Sequence, residues 1–275
     1  MQEGIYYELE IKSSCEPQLL AEFVETIYDE GLEIAHDRLI LRSSEPLETV
    51  SESIKQFCQS VGISIQTQQK VEKNCDWIKS YQDSIQPVCV GNFYIRPSWV
   101  APKSGLENIT IDPALSFGSG HHATTASVLL AISKYLQKRQ KVLDVGCGSG
   151  ILSIAAAKMG ADVWLCDSDE QAISSAKANF EQNDVSYKQC WVGSVDSVKQ
   201  KYDLVVANIV ADVLVMLQKG IKNALSDGGI LILSGILNTK AHEVKQAYSD
   251  LECQEVIEKD EWVTLVYRGA DEKSK

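Results

Sequence analysis

Three stretches of this chain carry polar residues at spacings that suit chemistry. The first is Val142-Leu143-Asp144-Val145-Gly146-Cys147-Gly148-Ser149-Gly150, an apolar run with an acid inside it and glycine at every second position after it. The second, Thr110–Thr125, is rich in glycine and hydroxyls and holds His121 and His122. The third, Val205-Val206-Ala207-Asn208-Ile209, ends an apolar run on a carboxamide. A strand, a glycine turn and a helix start are how an α/β sheet builds a nucleotide-type pocket at its carboxyl edge.

The spacing discriminates between cofactors. A dinucleotide turn needs glycines at G-x-G-x-x-G; Gly146 and Gly148 fit, but the third position is Ile151 and the glycine falls at 150. A pyrophosphate is also disfavoured by a carboxylate so near its turn. S-adenosylmethionine, a cation at sulfur and at its ammonium, is compatible with the acidic strand end at Asp144. Asp167, at the end of the next strand, is placed to accept both ribose hydroxyls, as a carboxylate does with two hydrogen bonds. Asp196, in the loop after the third strand, either faces the adenine amine or is an exposed loop residue. Asp144, Asp167, the glycine turn and a closing antiparallel strand pair together point to a methyltransferase domain.

Asn208 ends the strand whose carboxyl edge lies beside the cofactor methyl in a doubly wound sheet. Its amide oxygen is placed to accept a hydrogen bond from a substrate amine and aim the lone pair; the alternative is an ordinary strand-end or capping residue. Methyl transfer is an in-line displacement, so positioning supplies most of the catalysis. An amine acceptor must arrive neutral, and for a lysine with a pKa of about 10.4 that costs roughly 4–5 kcal/mol at pH 7. A dry pocket next to a sulfonium lowers the cost. His121 and His122 are candidates to take the proton, or loop residues that shape the site. The turn before the helix at Ala126–Leu136 suits an anion through its backbone N–H groups, or is an N-capping turn built on Thr124 or Thr125.

The elements around these residues fall into two domains. Over residues 1–69 the pattern is βαββαβ: Tyr6–Ile11, a helix over Glu16–Tyr28, Leu32–Ala35 and Leu39–Arg42 as a hairpin, a helix over Leu47–Val61, and Ile63–Gln68. This predicts a small α+β, ferredoxin-like domain. A linker helix with Trp77, Ile78 and Tyr81 fills residues 70–86. From 87 to 275 strands come first (Val88–Val90, Phe93–Ile95, Trp99-Val100), and then strands alternate with helices, predicting an α/β, Rossmann-like fold whose mostly parallel sheet has an antiparallel last strand. Within it, Asp212–Leu225 and Thr239–Leu251 read as single helices, and Glu252–Ile257 and Trp262–Tyr267 as the closing pair.

Composition bounds the partners. The net charge of −12 lacks the clustered Lys and Arg of a nucleic-acid groove; it favours encounter with a basic partner, or only keeps the protein in solution. The first residues show no secretory pattern, and no run of about 18 apolar residues would span a membrane, so a cytoplasmic protein is expected. Eight cysteines at 15, 58, 75, 89, 147, 166, 190 and 253 form no metal-ligand spacing, and are read as reduced thiols packing as small hydrophobes.

Asp112-Pro113 with Phe117-Gly118-Ser119-Gly120-His121-His122-Ala123-Thr124-Thr125, the Asp144–Gly150 turn and Ala207-Asn208-Ile209 resemble the PrmA family, the methyltransferases of large-subunit ribosomal protein L11. Asp76-Trp77, Arg96-Pro97-Ser98-Trp99 and Glu261-Trp262-Val263 are similar too, so the likeness covers nearly the whole chain. It implies a class I S-adenosylmethionine-dependent enzyme that trimethylates lysine side chains and the N-terminal amine of that protein. It implies further that the N-terminal domain grips the substrate and swings on the linker helix. By position Thr125, Gly146, Gly148, Asp167, Asn208 and Phe117 match the cofactor-contacting residues, and Asn208 and His122 the catalytic ones. The family loop usually reads Gly-Thr-Gly-Thr-His-Pro-Thr-Thr; here Ser119, His121 and Ala123 replace three of these and Ala114 replaces a glycine, which removes a proline from the loop but keeps the threonines and the histidine. Two other activities fit the pocket: methylation of a small molecule, which would not require the extra domain, and a non-catalytic module that binds the cofactor.

Overall fold

A computed structural model of the chain describes residues 5–24, 27–28, 31–35, 37–73, 85–112 and 122–270. They form two compact units, Met1–Ile85 and Gln86–Lys275. No helix among the described residues is long and apolar enough to cross a membrane.

The first unit is β1 (Ile5–Ser13), α1 (Pro17–Val24), β2 (Gly31–Ile34), β3 (Leu39–Ser43), α2 (Glu48–Ser60) and β4 (Ile65–Lys73). The sheet order is β2-β3-β1-β4 with every pair antiparallel, the ferredoxin-like arrangement. Alternation decides the faces: Leu9, Ile11, Leu39 and Leu41 are buried with Leu20, Val24, Ile54 and Cys58 of the helices. On the other face Glu8 pairs with Arg42 at 2.8 Å and Glu10 with Arg38 at 3.0 Å. Strand β4 continues through Lys73, paired with β1 along its length, so residues 70–73 are strand and not the start of a linker helix. The rest of that expected helix, 74–84, lies outside the described residues.

In the second unit a small sheet, β5 (Val88–Val90), β6 (Phe93–Arg96) and β7 (Glu107–Thr110), precedes the main one. The expected strand at Trp99-Val100 is instead a turn, closed by Val100 N–H on Pro97 O at 3.2 Å. Next come α3 (Ala123–Tyr135), β8 (Lys141–Val145), α4 (Ile151–Lys158), β9 (Asp162–Asp167), α5 (Glu170–Gln182), β10 (Gln189–Val192) and β11 (Tyr202–Asn208). The chain closes with α6 (Ala211–Met216), α7 (Gln218–Ala224), β12 (Leu225–Leu237), α8 (Ala241–Ala247), β13 (Glu252–Lys259) and β14 (Trp262–Arg268). The main sheet runs β10-β9-β8-β11-β12-β14-β13; it is parallel as far as β12, and β14 is antiparallel to both its neighbours.

The last strand is therefore inside the sheet and β13 is the edge. Burial explains the order: Val263, Thr264, Leu265, Val266 and Tyr267 are all buried in succession, as a strand covered on both faces must be, whereas β13 is exposed along most of its length. The helix expected over 212–225 is split at Leu217, whose φ −87°, ψ 4° leave the helical region. One core layer packs α3, α4 and α5 against the sheet, and a second packs α6, α7 and α8 against the opposite face.

Candidate active site

The carboxyl edge of the parallel strands frames a cavity of about 550 Å³. Gly146 and Gly148 line it after β8, Asp167 and Ser168 after β9, Gly193 and Ser194 after β10, and Asn208 at the end of β11. Sequence placed Gly146, Gly148, Asp167 and Asn208 on strand ends, and these four line the same cavity. Phe117 lies outside the described residues.

Asp167 is held before any ligand arrives. Gly148 N–H donates to Asp167 Oδ2 at 2.9 Å and Asp169 N–H to Oδ1 at 3.0 Å. Each carboxylate oxygen has a second lone pair, so two hydroxyls can still be accepted. The turn itself is tied down by Gly146 and Cys147 N–H groups donating to Cys166 O at 2.9 and 3.1 Å. Burial pushes the Cys166 thiol up to about 12 and raises that of Cys147 further, so both are inert hydrophobes at neutral pH.

Asp144 does not reach the cavity. It is fully buried under α4, where Ser153 Oγ–H donates to its Oδ2 at 2.7 Å, and its Oδ1 has no hydrogen-bond partner among the described residues. Burial, and secondarily the charge of Asp167, push its carboxyl up to about 7, with the Ser153 hydrogen bond opposing. Its contribution is to the packing of the turn, not to direct contact with a cation.

The Asn208-Ile209 segment is clamped between two glycines. A Cβ on Gly146 would overlap Ile209 Cγ2. One on Gly235, at φ +80°, would lie 2.5 Å from Ile209 O and 2.8 Å from Ile209 C. Neither position accepts a side chain, and Gly235 also needs a backbone conformation that L-residues avoid. Ile209 N–H donates to Ser234 O at 3.1 Å. The Asn208 amide has no hydrogen-bond partner among the described residues and borders the cavity.

His122 is the N-cap of α3. Thr124 N–H donates to its Nδ1 at 3.4 Å and Thr124 Oγ1 lies 2.8 Å from the same nitrogen. Its ring meets Trp262 edge-on at 4.9 Å, and His122, Thr124 and Trp262 all line the cavity. Thr125 is buried beside them with its Oγ1 unpartnered among the described residues and does not line it. Asp196 also stays out: it is exposed and packs against Gly220, where a Cβ would come within 2.5 Å of its Oδ1.

Sequence reasoning missed Ser168, Gly193, Ser194, Gly235 and Trp262. The first three follow strand ends, where position alone marks them. Gly235 interrupts an apolar strand, a known sign of close backbone approach. Asn183 ties the end of α5 to the end of β7: its amide donates to Thr110 O and accepts from Thr110 N–H, each at 2.7 Å.

A parallel sheet with this strand order, a glycine turn and a carboxylate at the next strand end define a class I S-adenosylmethionine-dependent methyltransferase. A family model described as ribosomal protein L11 methyltransferase (PrmA) matches residues 19–270, and the chain belongs to that family. The ribosomal protein L11 methyltransferase of a Nitratiruptor species is 44% identical over 270 residues, covering 96% of each chain. That of Campylobacter concisus is 40% identical over 277 residues, covering 97% of this chain and 99% of the other. A crystal structure of the ribosomal protein L11 methylase from Lactobacillus delbrueckii subsp. bulgaricus superposes with a TM-score of 0.64 at 30% identity, covering 67% of this chain and 100% of that one.

Proposed function

We propose that the protein transfers methyl groups to lysine ε-amines and the N-terminal α-amine of ribosomal protein L11, in the cytoplasm, and that it carries the acceptor amines to the trimethylated state. The observation that supports this most directly is Asn208, a carboxamide with no hydrogen-bond partner among the described residues, at the strand end next to the glycine turn. When bound, S-adenosylmethionine supplies an electrophilic methyl on a sulfonium. The cavity suits it: the Gly146–Gly148 backbone allows close approach, and Asp167 keeps two lone pairs for ribose hydroxyls.

The residues of the chain then do three things. Asn208 Oδ1 accepts a hydrogen bond from the neutral amine and orients its lone pair for in-line attack. The apolar walls exclude water and lower the roughly 4–5 kcal/mol cost of deprotonating a lysine. His122 caps α3 and lines the pocket, whose wall it shapes. The first unit, with its own sheet and core, grips the substrate protein.

The test is transfer of labelled methyl from S-adenosylmethionine to purified L11, free and in ribosomes, followed by mapping of the labelled amines. Label on lysine and the N-terminus supports the reading, and no transfer to either form defeats it.

A further inference from the structure

We infer that the apolar wall of Val210, Val213, Met216 and Leu217 receives the aliphatic stem of the acceptor lysine together with an apolar side chain beside it in the substrate protein. This rests on the reading of the site as a protein amine methyltransferase. All four residues line the same cavity as Asn208, and the wall begins two residues after it. Their spacing puts them along one side of α6 and its ends.

Folding uses little of this wall: of its four residues Leu217 alone also packs against the core. Helix α6 already buries Ala211 and Leu214 in the core, and its polar side is occupied by Asp212, 3.6 Å from Lys240 Nζ. Val210 and Met216 stay 62% and 70% exposed at the cavity. Single exposed aliphatics need no explanation, but a cluster of them at a cavity marks a binding surface. The opposite end of the cavity, Asp167, Ser168, Gly193 and Ser194, is polar and suits the adenosine of the cofactor.

The occupant follows from the chemistry of the acceptor. A lysine nitrogen reaches Asn208 on four methylenes, which an apolar wall covers while the nitrogen goes deeper. An acceptor on a sugar, a phosphate or a short polar stem gains nothing from such a wall. The flexible thioether of Met216 adapts to different neighbouring side chains, as an enzyme with more than one acceptor amine requires.

The experiment compares the full-length protein with Val210→Ser, Met216→Gln and the double variant, using L11 as acceptor. Serine is a favoured N-cap, and Val210 is the N-cap of α6 without a side-chain bond, so folding is preserved and thermal unfolding checks it. Loss of about two methylenes' worth of contact raises the KM for L11 roughly tenfold, with the Kd for S-adenosylmethionine unchanged. An unchanged KM in the double variant overturns the inference, as does a matching loss of cofactor affinity, which would assign the wall to the cofactor. Failure of the unaltered protein to methylate L11 would instead defeat the functional reading.

Discussion

Replacing Gly235 by alanine tests how the site holds Asn208. The new Cβ would lie 2.5 Å from Ile209 O, whereas non-bonded carbon contacts settle near 3.5 Å, so the Asn208-Ile209 backbone must shift by about 1 Å. Relief in other directions is blocked, because Ile209 N–H is bonded to Ser234 O and its side chain abuts Gly146. A misplacement of about 1 Å in a positioning group costs on the order of 100-fold in rate. The positive φ separately costs about 1–2 kcal/mol of stability. Gly105 isolates that second effect: it has the same φ of +80°, and a Cβ there would meet nothing within 4 Å. Gly105→Ala is expected to lower stability by about 1–2 kcal/mol and leave kcat intact. Gly235→Ala adds about 1–3 kcal/mol of overpacking and lowers kcat about 100-fold, with a much smaller change in cofactor affinity. Single-turnover methyl transfer, calorimetric titration with S-adenosylmethionine and thermal unfolding measure the three quantities. If Gly235→Ala turns over as fast as Gly105→Ala, the clamp does not position Asn208.

Three further outcomes follow from the same geometry. Asn208→Ala loses turnover far more than cofactor affinity, whereas Asp167→Ala weakens S-adenosylmethionine binding by on the order of 100-fold; losses confined to affinity in both would contradict the role of Asn208. Asp144, near 4 when unfolded and about 7 when folded, binds its proton more tightly in the folded state. Its ionisation therefore withdraws stability as pH rises from about 4 to about 7. Asp144→Asn should gain on the parent protein across that window, by up to about 3–4 kcal/mol, and hold the gain at higher pH; a difference in melting temperature that does not vary with pH would show that Asp144 is not buried neutral. Deleting residues 1–85 should leave cofactor binding, because the second unit has its own cores, and abolish methylation of L11; full activity of the truncated protein would rule out substrate gripping by the first unit.

Strand ends were the part of this site that sequence made legible. Gly146, Gly148, Asp167 and Asn208 each follow an apolar run, and a parallel sheet brings all such ends to one edge. What periodicity does not carry is which way a loop residue points. Thr124 and Thr125 are adjacent and chemically identical, and only the capping geometry of His122 decides which one borders the cavity. Asp196 and Ser194 differ in the same way. Asp144 looked like an accessible acid because a turn follows it, yet the strand's alternation sends it under α4 to Ser153. The interior place of β14 could be read from five consecutive buried residues only after their neighbours were known. Strand β7 was missed because Glu107 and Asn108 give its four residues a loop-like composition, with Ile109 its only aliphatic residue.

The central claim is that this cavity serves methylation of a protein amine. Intact mass spectrometry of L11 after incubation with S-adenosylmethionine and either the unaltered protein or Asn208→Ala tests it most directly. The account predicts that L11 gains whole methyl increments, located on lysine and the N-terminal amine, with the unaltered protein and almost none with the variant. An unmodified mass, or equal modification by both, would contradict it.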